Sequence, residues 1–292
     1  MDFRKNLQKL RILAMTVMTL VVMSAIALAE VPSIEAYEND DNYIYGIGYG
    51  EPDQSFSAGI RAAELDAYRK CAESAALALE EDSIRDNGYT SRDTVNARMQ
   101  QLVRGLHILK EGRDKESGQF YAVVRLPKFG ATKSLAKAVF DPAKAKQEAF
   151  AKPQAKIVDV PAGSSAQPTQ HAMNTVQREG NYTGVIIDCR GMNLKSTMSP
   201  VIKNERGEDI YGYKNLDYDK VVSKGMAGYA MSVDQNVGRV GSHPLVLKAV
   251  RVDTRATQNH VDPVISMADA DKMLAENSAT GFLNNCAVVF VR

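Results

Sequence analysis

Asp66, Arg69 and Glu73 are charged residues spaced three and four apart, a spacing that places them on one face of a helix. Two carboxylates held by an arginine form a group that can act as acid and base. The same spacing is more common in surface ion pairs, each worth about 0.3 kcal/mol. We therefore interpret the three residues as an exterior ion-pair network, and docking of a protein partner is the functional alternative.

The second half of the sequence contains the side chains of a thiol nucleophile, namely Asp188, Cys189 and His243. No nucleophile motif surrounds Cys189, which ends a predicted strand, so we do not expect catalysis here. The four histidines are scattered, and neither H-x-x-x-H nor C-x-x-C spacing occurs. The sequence therefore predicts a protein that is not an enzyme and that holds no metal and no cofactor.

Three glycines, Gly46, Gly48 and Gly50, follow a predicted strand and precede a predicted helix. A phosphate-binding loop has this order, but its usual spacing is G-x-G-x-x-G, and Pro52 and Asp53 intervene here. We interpret the glycines as a permissive strand or a bulge.

Cys189 and Cys286 lie at the end of one predicted strand and the start of another. If the two strands are neighbours, a disulfide is possible provided that the Cα atoms fall within about 7 Å. The alternative is a pair of small buried side chains. Cys71 lies on the apolar stripe of a predicted helix and is expected in the core.

The elements that position these residues form two groups. Before residue 152, the pattern predicts a strand, a long helix at about 55–82, a second helix and a strand hairpin. A further helical segment is predicted over 133–151, with a break at Asp141-Pro142. Residues 152–180 are rich in Pro, Ser and Gln and are predicted to be an interdomain linker. After the linker the chain is rich in strands. One strong strand is predicted over 245–252, a helix over 266–277, and central strands at the two ends.

The predicted fold class is therefore α+β. We expect two small domains, at 30–151 and 181–292, each with a mostly antiparallel sheet packed by helices.

The first 29 residues have the pattern of a signal peptide. Four cations and one acid precede an uncharged apolar run of 18 residues from Ile12, which ends in Ala27-Leu28-Ala29 before Glu30. Small residues at −3 and −1 favour cleavage between Ala29 and Glu30. A retained anchor is the alternative, because a spanning helix needs about 17–25 residues.

Charge and composition limit the partners. Removing the leader from 36 basic and 35 acidic side chains leaves 32 and 34, so the exported chain is almost neutral. This balance predicts no surface for nucleic acid and no polybasic membrane surface.

Part of the chain resembles known families. The resemblance is to the twenty-kilodalton outer-membrane lipoprotein family and to the first domain of flagellar assembly protein T, and it lies within residues 42–127: GIGYG at 46–50, RAAELDAYRKCAE at 61–73, VRGLHI at 103–108 and YAVVRLP at 121–127. It implies a small, non-catalytic envelope domain with a long helix on a sheet. The lipoproteins carry an acylated cysteine after the leader, whereas the first cysteine here is Cys71, so no lipid anchor is expected. Residues 184–191 (GVIIDCRG) resemble a segment of uncharacterised secreted bacterial proteins.

These observations predict an exported, non-enzymatic envelope protein, periplasmic or secreted. We expect it to act as an interaction or assembly component with envelope-protein partners, associated with the outer membrane or the flagellum. The alternative is a periplasmic module that binds a small ligand or the cell wall in a groove between the domains.

Overall fold

The structure is a computed structural model that describes residues 42–82, 88–103, 105–161, 175–235, 237–254 and 260–292, together with Pro32 and Asp40. The predicted signal peptide and its cleavage site, Ala29 and Glu30, lie outside these residues. Among the described residues, no helix is both long enough and apolar enough to cross a membrane.

The first half of the molecule is defined here as residues 42–151, and its described residues form one antiparallel sheet with three helices. Its strands have the order β1-β3-β2. The elements are β1 (Tyr43–Gly50), α1 (Phe56–Asp82), α2 (Arg92–Val103), β2 (His107–Arg113), β3 (Phe120–Pro127) and α3 (Leu135–Val139). The predicted strands, long helix, second helix and hairpin are all confirmed. The predicted break at Asp141-Pro142 is confirmed, because α3 ends at Val139 and Asp141 caps a single 3-10 turn at Pro142–Lys144. The helix predicted to resume after the break is wrong, since the chain there is irregular.

Helix α1 packs directly on β1 because both surfaces carry small residues. A Cβ atom added at Gly48 would overlap the carbonyl oxygen of Ala63 and the amide nitrogen of Ala67, and one added at Gly46 would overlap the carbonyl oxygen of Ala67. Only glycine permits such an approach between two backbones. The three-glycine segment is therefore a packing surface, as its interpretation as a permissive strand predicted.

The second half of the molecule spans residues 152–292, and its described residues form two four-stranded sheets and a small two-stranded one. The central sheet has the order β10-β6-β13-β9, and the other large sheet has the order β11-β12-β7-β8. The strands are β4 (Lys156–Asp159), β5 (Thr175–Arg178), β6 (Gly184–Asp188), β7 (Ile202–Asn204), β8 (Asp209–Tyr211), β9 (Gly228–Ala230), β10 (Pro244–Lys248), β11 (Arg251–Thr254), β12 (His260–Ile265) and β13 (Val288–Val291). The helices are α4 (Tyr218–Lys224), α5 (Val237–Val240) and α6 (Met267–Thr280).

The central sheet is parallel throughout, which corrects one part of the predicted fold. The α+β class and the central position of the first and last strands, β6 and β13, are confirmed. The expectation of a mostly antiparallel sheet is wrong here. The sequences GVIID and VVFV are continuous apolar runs with almost no exposed side chain, a pattern typical of parallel strands covered on both faces.

The strong strand predicted over 245–252 is two strands in two different sheets. The chain leaves the central sheet after Lys248 and enters the other large sheet, β11-β12-β7-β8, at Arg251. Its apolar content continues across the break because Ala249 and Val252 are both buried, one at each sheet. Hydrophobicity therefore does not mark the transition.

Helix α6 fixes the two described ends of the predicted linker. Ser266 caps the helix by accepting a hydrogen bond from the Asp269 amide, as predicted. The Asp271 carboxylate accepts the backbone N–H groups of Gln154 and Ala155 at 2.7 and 3.0 Å. Near the other end of α6, the fully buried Glu276 carboxylate accepts the backbone N–H groups of Glu179 and Gly180 at 2.6 and 2.7 Å. The segment 152–180 thus begins and ends as an ordered part of the second half.

The two halves share one continuous hydrophobic core. Phe140 stacks on Tyr213 with ring centroids 4.9 Å apart. The Tyr213 hydroxyl donates to the Asp141 carbonyl at 2.9 Å, and the Gly130 amide donates to the Val222 carbonyl at 2.7 Å. This contact holds the two halves in a defined arrangement.

Candidate functional site

A groove of about 1180 Å³ runs between α1 and α2, and we call it the helix groove. Its floor is apolar and includes Leu79, Met99 and Val139. The full lining consists of Tyr68, Arg69, Ala72, Ala76, Leu79, Tyr89, Thr90, Arg92, Val95, Asn96, Met99, Gln100, Val103 and Val139. Both charged residues in this lining are arginines.

The groove follows from the way α1 divides its surface. The stripe Ala63, Ala67, Cys71 and Ala75 is fully buried. Cys71 lies in the core, as predicted, whereas Ile60, Glu64 and Tyr68 on the same helix are only half-buried. The adjacent stripe faces α2 with small residues, Ala72 and Ala76, which leave space between the two helices.

The predicted ion-pair network borders this groove. Arg69 bonds to Asp66 and to Glu73, each at 2.7 Å, and Lys70 bonds to Asp66 at 2.8 Å. Asp66 also accepts the Tyr49 amide at 3.1 Å, which fixes the carboxylate to the edge of β1. Burial opposes ionisation of Asp66, but hydrogen bonds from Lys70 and Arg69 outweigh it and hold the pKa of this carboxyl below its usual range. The network is therefore formed as predicted, and Arg69, which lines the groove, is more than half exposed.

A second cavity, of about 720 Å³, lies where the two halves meet, and we call it the cationic cavity. Its walls come from α2, from the start of α3 and from Tyr218 at the start of α4. The lining consists of Arg98, Gln101, Leu102, Gly105, Lys133, Ser134, Lys137, Ala138, Pro142 and Tyr218. Its three charged residues are Arg98, Lys133 and Lys137.

Cys189 and Cys286 form no disulfide; both are buried free thiols, which confirms the alternative of two small buried side chains. Strands β6 and β13 are neighbours, as the prediction required, but they run parallel. The end of one strand and the start of the other therefore lie at opposite edges of the sheet, on the order of 15–20 Å apart for five to six residues. The expectation failed because it assumed antiparallel neighbours. Burial raises the pKa of the Cys189 thiol to about 12 and also raises that of Cys286.

The structure also keeps the candidate nucleophile group apart. The Asp188 carboxylate is bonded to Arg190 at 2.6 Å, and this bond lowers its pKa to about 2. The His243 ring stacks on Tyr182 at 4.8 Å, at the start of β10, whereas Cys189 follows the end of β6. Within the described residues, no group of three or more His, Cys, Asp or Glu side chains is arranged to hold a metal ion.

Sequence reasoning missed the cationic cavity. Arg98 and Lys133 are 35 positions apart, and only the packing of α2 beside α3 brings them together. The Lys133–Lys137 spacing of four is visible in the sequence, but nothing in the sequence relates this segment to Arg98 or Tyr218.

Comparisons with known proteins concern mainly the second half. The model of a family described as Treponema pallidum Tp0624, second domain, matches residues 184–292. The match begins at the first residue of β6 and covers both large sheets of the second half. No curated protein matches the chain.

Proposed function

We propose that the protein is an exported, non-enzymatic component of the cell envelope that binds a protein partner through the helix groove. Export is proposed from the leader pattern. A place at the outer membrane or the flagellum is proposed from the resemblance of residues 42–127 to the twenty-kilodalton lipoprotein family and to the first domain of flagellar assembly protein T. The observation that carries the proposal is the groove itself, because an open groove with an apolar floor can bind the apolar face of an amphipathic helix.

The dimensions of the groove indicate the kind of partner. Helix α2 has 12 residues and is therefore about 18 Å long, which matches roughly three turns of a bound helix. Leu65 lies on the α1 face that continues from Ala72 and is 54% exposed, so it extends the apolar surface beyond the groove. A helix that presents an apolar face at positions i, i+3, i+4 and i+7 fits such a surface.

The charges of the groove specify the partner further. Among the residues that the structure describes, Arg69 and Arg92 line it and no carboxylate does. The exposed pair of Arg69 with Glu73 contributes little to stability, so Arg69 can exchange this partner for another carboxylate at small cost. The partner segment is therefore an amphipathic helix with acidic residues beside its apolar face.

The test compares two arginine substitutions on the same helix. Ala76 is exposed and lines the groove, so Ala76→Arg fills it without altering the buried core. Ala58 is exposed on α1 outside the groove, so Ala58→Arg is the matched control. Tagged wild-type protein is crosslinked in intact envelopes and purified, and each captured protein is titrated against all three purified forms. A partner that binds wild type and Ala58→Arg but not Ala76→Arg supports the proposal. If every captured protein binds Ala76→Arg as well as wild type, the groove is not the binding site.

A second candidate function is binding of a small ligand between the two halves. The observation that favours it is the cationic cavity, whose lining includes Tyr218 from the second half beside α2 and α3 from the first. Binding of a small ligand in this cavity should be unchanged by Ala76→Arg, because Ala76 does not line it.

A further inference from the structure

We propose that the cationic cavity binds the phosphate group of a phosphorylated organic ligand. This inference goes beyond the proposed protein binding and rests on the second candidate function, for which it names the ligand class. Three features support it: the positive charge of the cavity, the backbone contacts that position its lysines, and the apolar residues in its lining.

The described lining of the cavity is positively charged. Arg98, Lys133 and Lys137 belong to it, and no Asp or Glu among the described residues does. Within the part of the chain that the structure describes, neither Lys133 nor Lys137 forms a side-chain ion pair. Arg98 donates one hydrogen bond to the Ala138 carbonyl at 3.3 Å, which leaves its other N–H groups available. Three cations around one space favour a multiply charged anion such as phosphate.

The backbone holds both lysines at the start of α3. Lys133 has φ +47°, a conformation that residues other than glycine seldom adopt. The next residue, Ser134, is fully buried, accepts the Lys137 amide at 3.2 Å and donates to the Gly130 carbonyl at 2.7 Å. Because Gly130 also bonds across to Val222, contact between the halves fixes the positions of the two lysines.

Tyr218 lines the same cavity and supplies a neutral donor. Burial raises the pKa of its hydroxyl, Arg98 lowers it, and Asp219 and Asp141 raise it further, so the hydroxyl keeps its proton at neutral pH. Those two carboxylates are the acidic groups that act on Tyr218. Asp141 is engaged by the Ala143 amide at 3.0 Å, and Asp219 is exposed.

The cavity lining also includes the apolar residues Leu102, Ala138 and Pro142. A free inorganic ion leaves their side chains without contact, whereas an organic group attached to phosphate can pack against them. The ligand class is therefore a phosphate monoester or diester with an attached organic part. A soluble metabolite and a phospholipid headgroup share this chemistry.

The test uses calorimetry on the purified protein with glucose 6-phosphate, inorganic phosphate and glucose as probes, and flotation with phosphatidylglycerol vesicles. We expect glucose 6-phosphate to bind more tightly than inorganic phosphate and to weaken as salt rises. Lys133→Gly and Lys137→Gln should each weaken binding about tenfold through loss of a charge-assisted bond. Lys115→Gln, in the exposed loop after β2, is the matched control and should bind as wild type does.

Lys133→Gly separates a ligand-binding role from a structural one. Glycine adopts φ +47° without strain, so this variant should be at least as stable as wild type while losing affinity. If vesicles bind instead of glucose 6-phosphate, with the same loss in both lysine variants, the phosphate belongs to a lipid headgroup.

Other outcomes would overturn the inference. Glucose binding as tightly as glucose 6-phosphate would retain the small-ligand function and exclude the phosphate site. Binding unchanged by Lys133→Gly and Lys137→Gln would move the site elsewhere. If no probe binds, both the inference and the second candidate function fail, and the helix groove proposal is unaffected.

Discussion

The two halves of the molecule cover their sheets in opposite ways. In the first half, α1 approaches β1 so closely that Gly46 and Gly48 have no room for a side chain. In the second half, the central strands are filled with fully buried residues such as Ile187, Val289 and Phe290. Close packing in the first half therefore requires residues without side chains at the interface, whereas packing in the second half requires large side chains that fill the space. The first half therefore tolerates no added bulk at its interface, whereas the second loses stability when bulk is removed.

This difference also explains where the helix groove lies. Small residues allow α1 to reach the sheet, and the neighbouring small residues Ala72 and Ala76 leave a space beside α2. The central sheet of the second half has no such stripe along its strands, since large apolar side chains occupy it. The same residue choice thus gives the first half close packing on one side and an open groove on the other.

The largest expected effect is that of adding bulk to the first half. Gly48→Val places atoms against the α1 backbone, which cannot move aside, so we expect a loss of about 3 kcal/mol or more. Urea unfolding measures it. Gly238→Ala, in an exposed position with no atom within 4 Å, is the control and should leave stability unchanged or raise it by up to about 1 kcal/mol. If Gly48→Val and Gly238→Ala changed the free energy of unfolding by similar amounts, the contrast between the two halves would be wrong.

A smaller loss is expected from the carboxylate that holds the second half together. Glu276→Gln keeps the shape of the side chain, but its amide cannot accept from both Glu179 and Gly180 or pair with Lys272, which lies 2.9 Å away. We expect a loss of about 2–3 kcal/mol. Thermal unfolding should show it, and exposed Glu73→Gln should cost less than about 0.5 kcal/mol. Similar values for both variants would contradict the role of Glu276 as a clamp.

Removing one methyl group from the central sheet should have a still smaller effect. Ile187→Val leaves a small void in a fully buried position, so we expect a loss of about 1 kcal/mol. Chemical unfolding with unchanged slope would confirm that the strand stays in place. No loss at all would mean that this sheet is not close-packed, contrary to the comparison.

The smallest effect on stability at neutral pH comes from ionisation of the buried thiols, which are present in both halves. Burial raises the pKa of Cys71 and Cys189 to about 12, whereas an unfolded thiol titrates near about 8.5. Between these values the unfolded chain releases protons that the folded chain keeps, so stability falls as pH rises above about 9. Below that pH the thiols should have no effect. Unfolding midpoints from pH 7 to pH 10.5 measure the slope, which Cys71→Ala should reduce; a slope unchanged by this substitution would contradict the account of Cys71.

Local pattern was sufficient to predict the first half and insufficient for the second. The spacing of α1 and the hairpin of β2 and β3 are local features, so periodicity and turn residues identified them. The direction of β6 relative to β13 depends on the crossover that joins them, which no local pattern records. The expectation of antiparallel strands is also the reason why a disulfide between Cys189 and Cys286 was considered possible. The cationic cavity depends on three elements distant in sequence, so it could be found only from the fold.

The most direct test of the proposed partner binding is site-specific photocrosslinking in living cells. A photoreactive amino acid at Gln100, which is exposed and lines the helix groove, is compared with one at Lys115 in the exposed loop after β2. The account predicts a discrete crosslinked product from position 100 that Ala76→Arg abolishes and Ala58→Arg preserves, with no such product from position 115. The same products from both positions, or none from position 100, would contradict it.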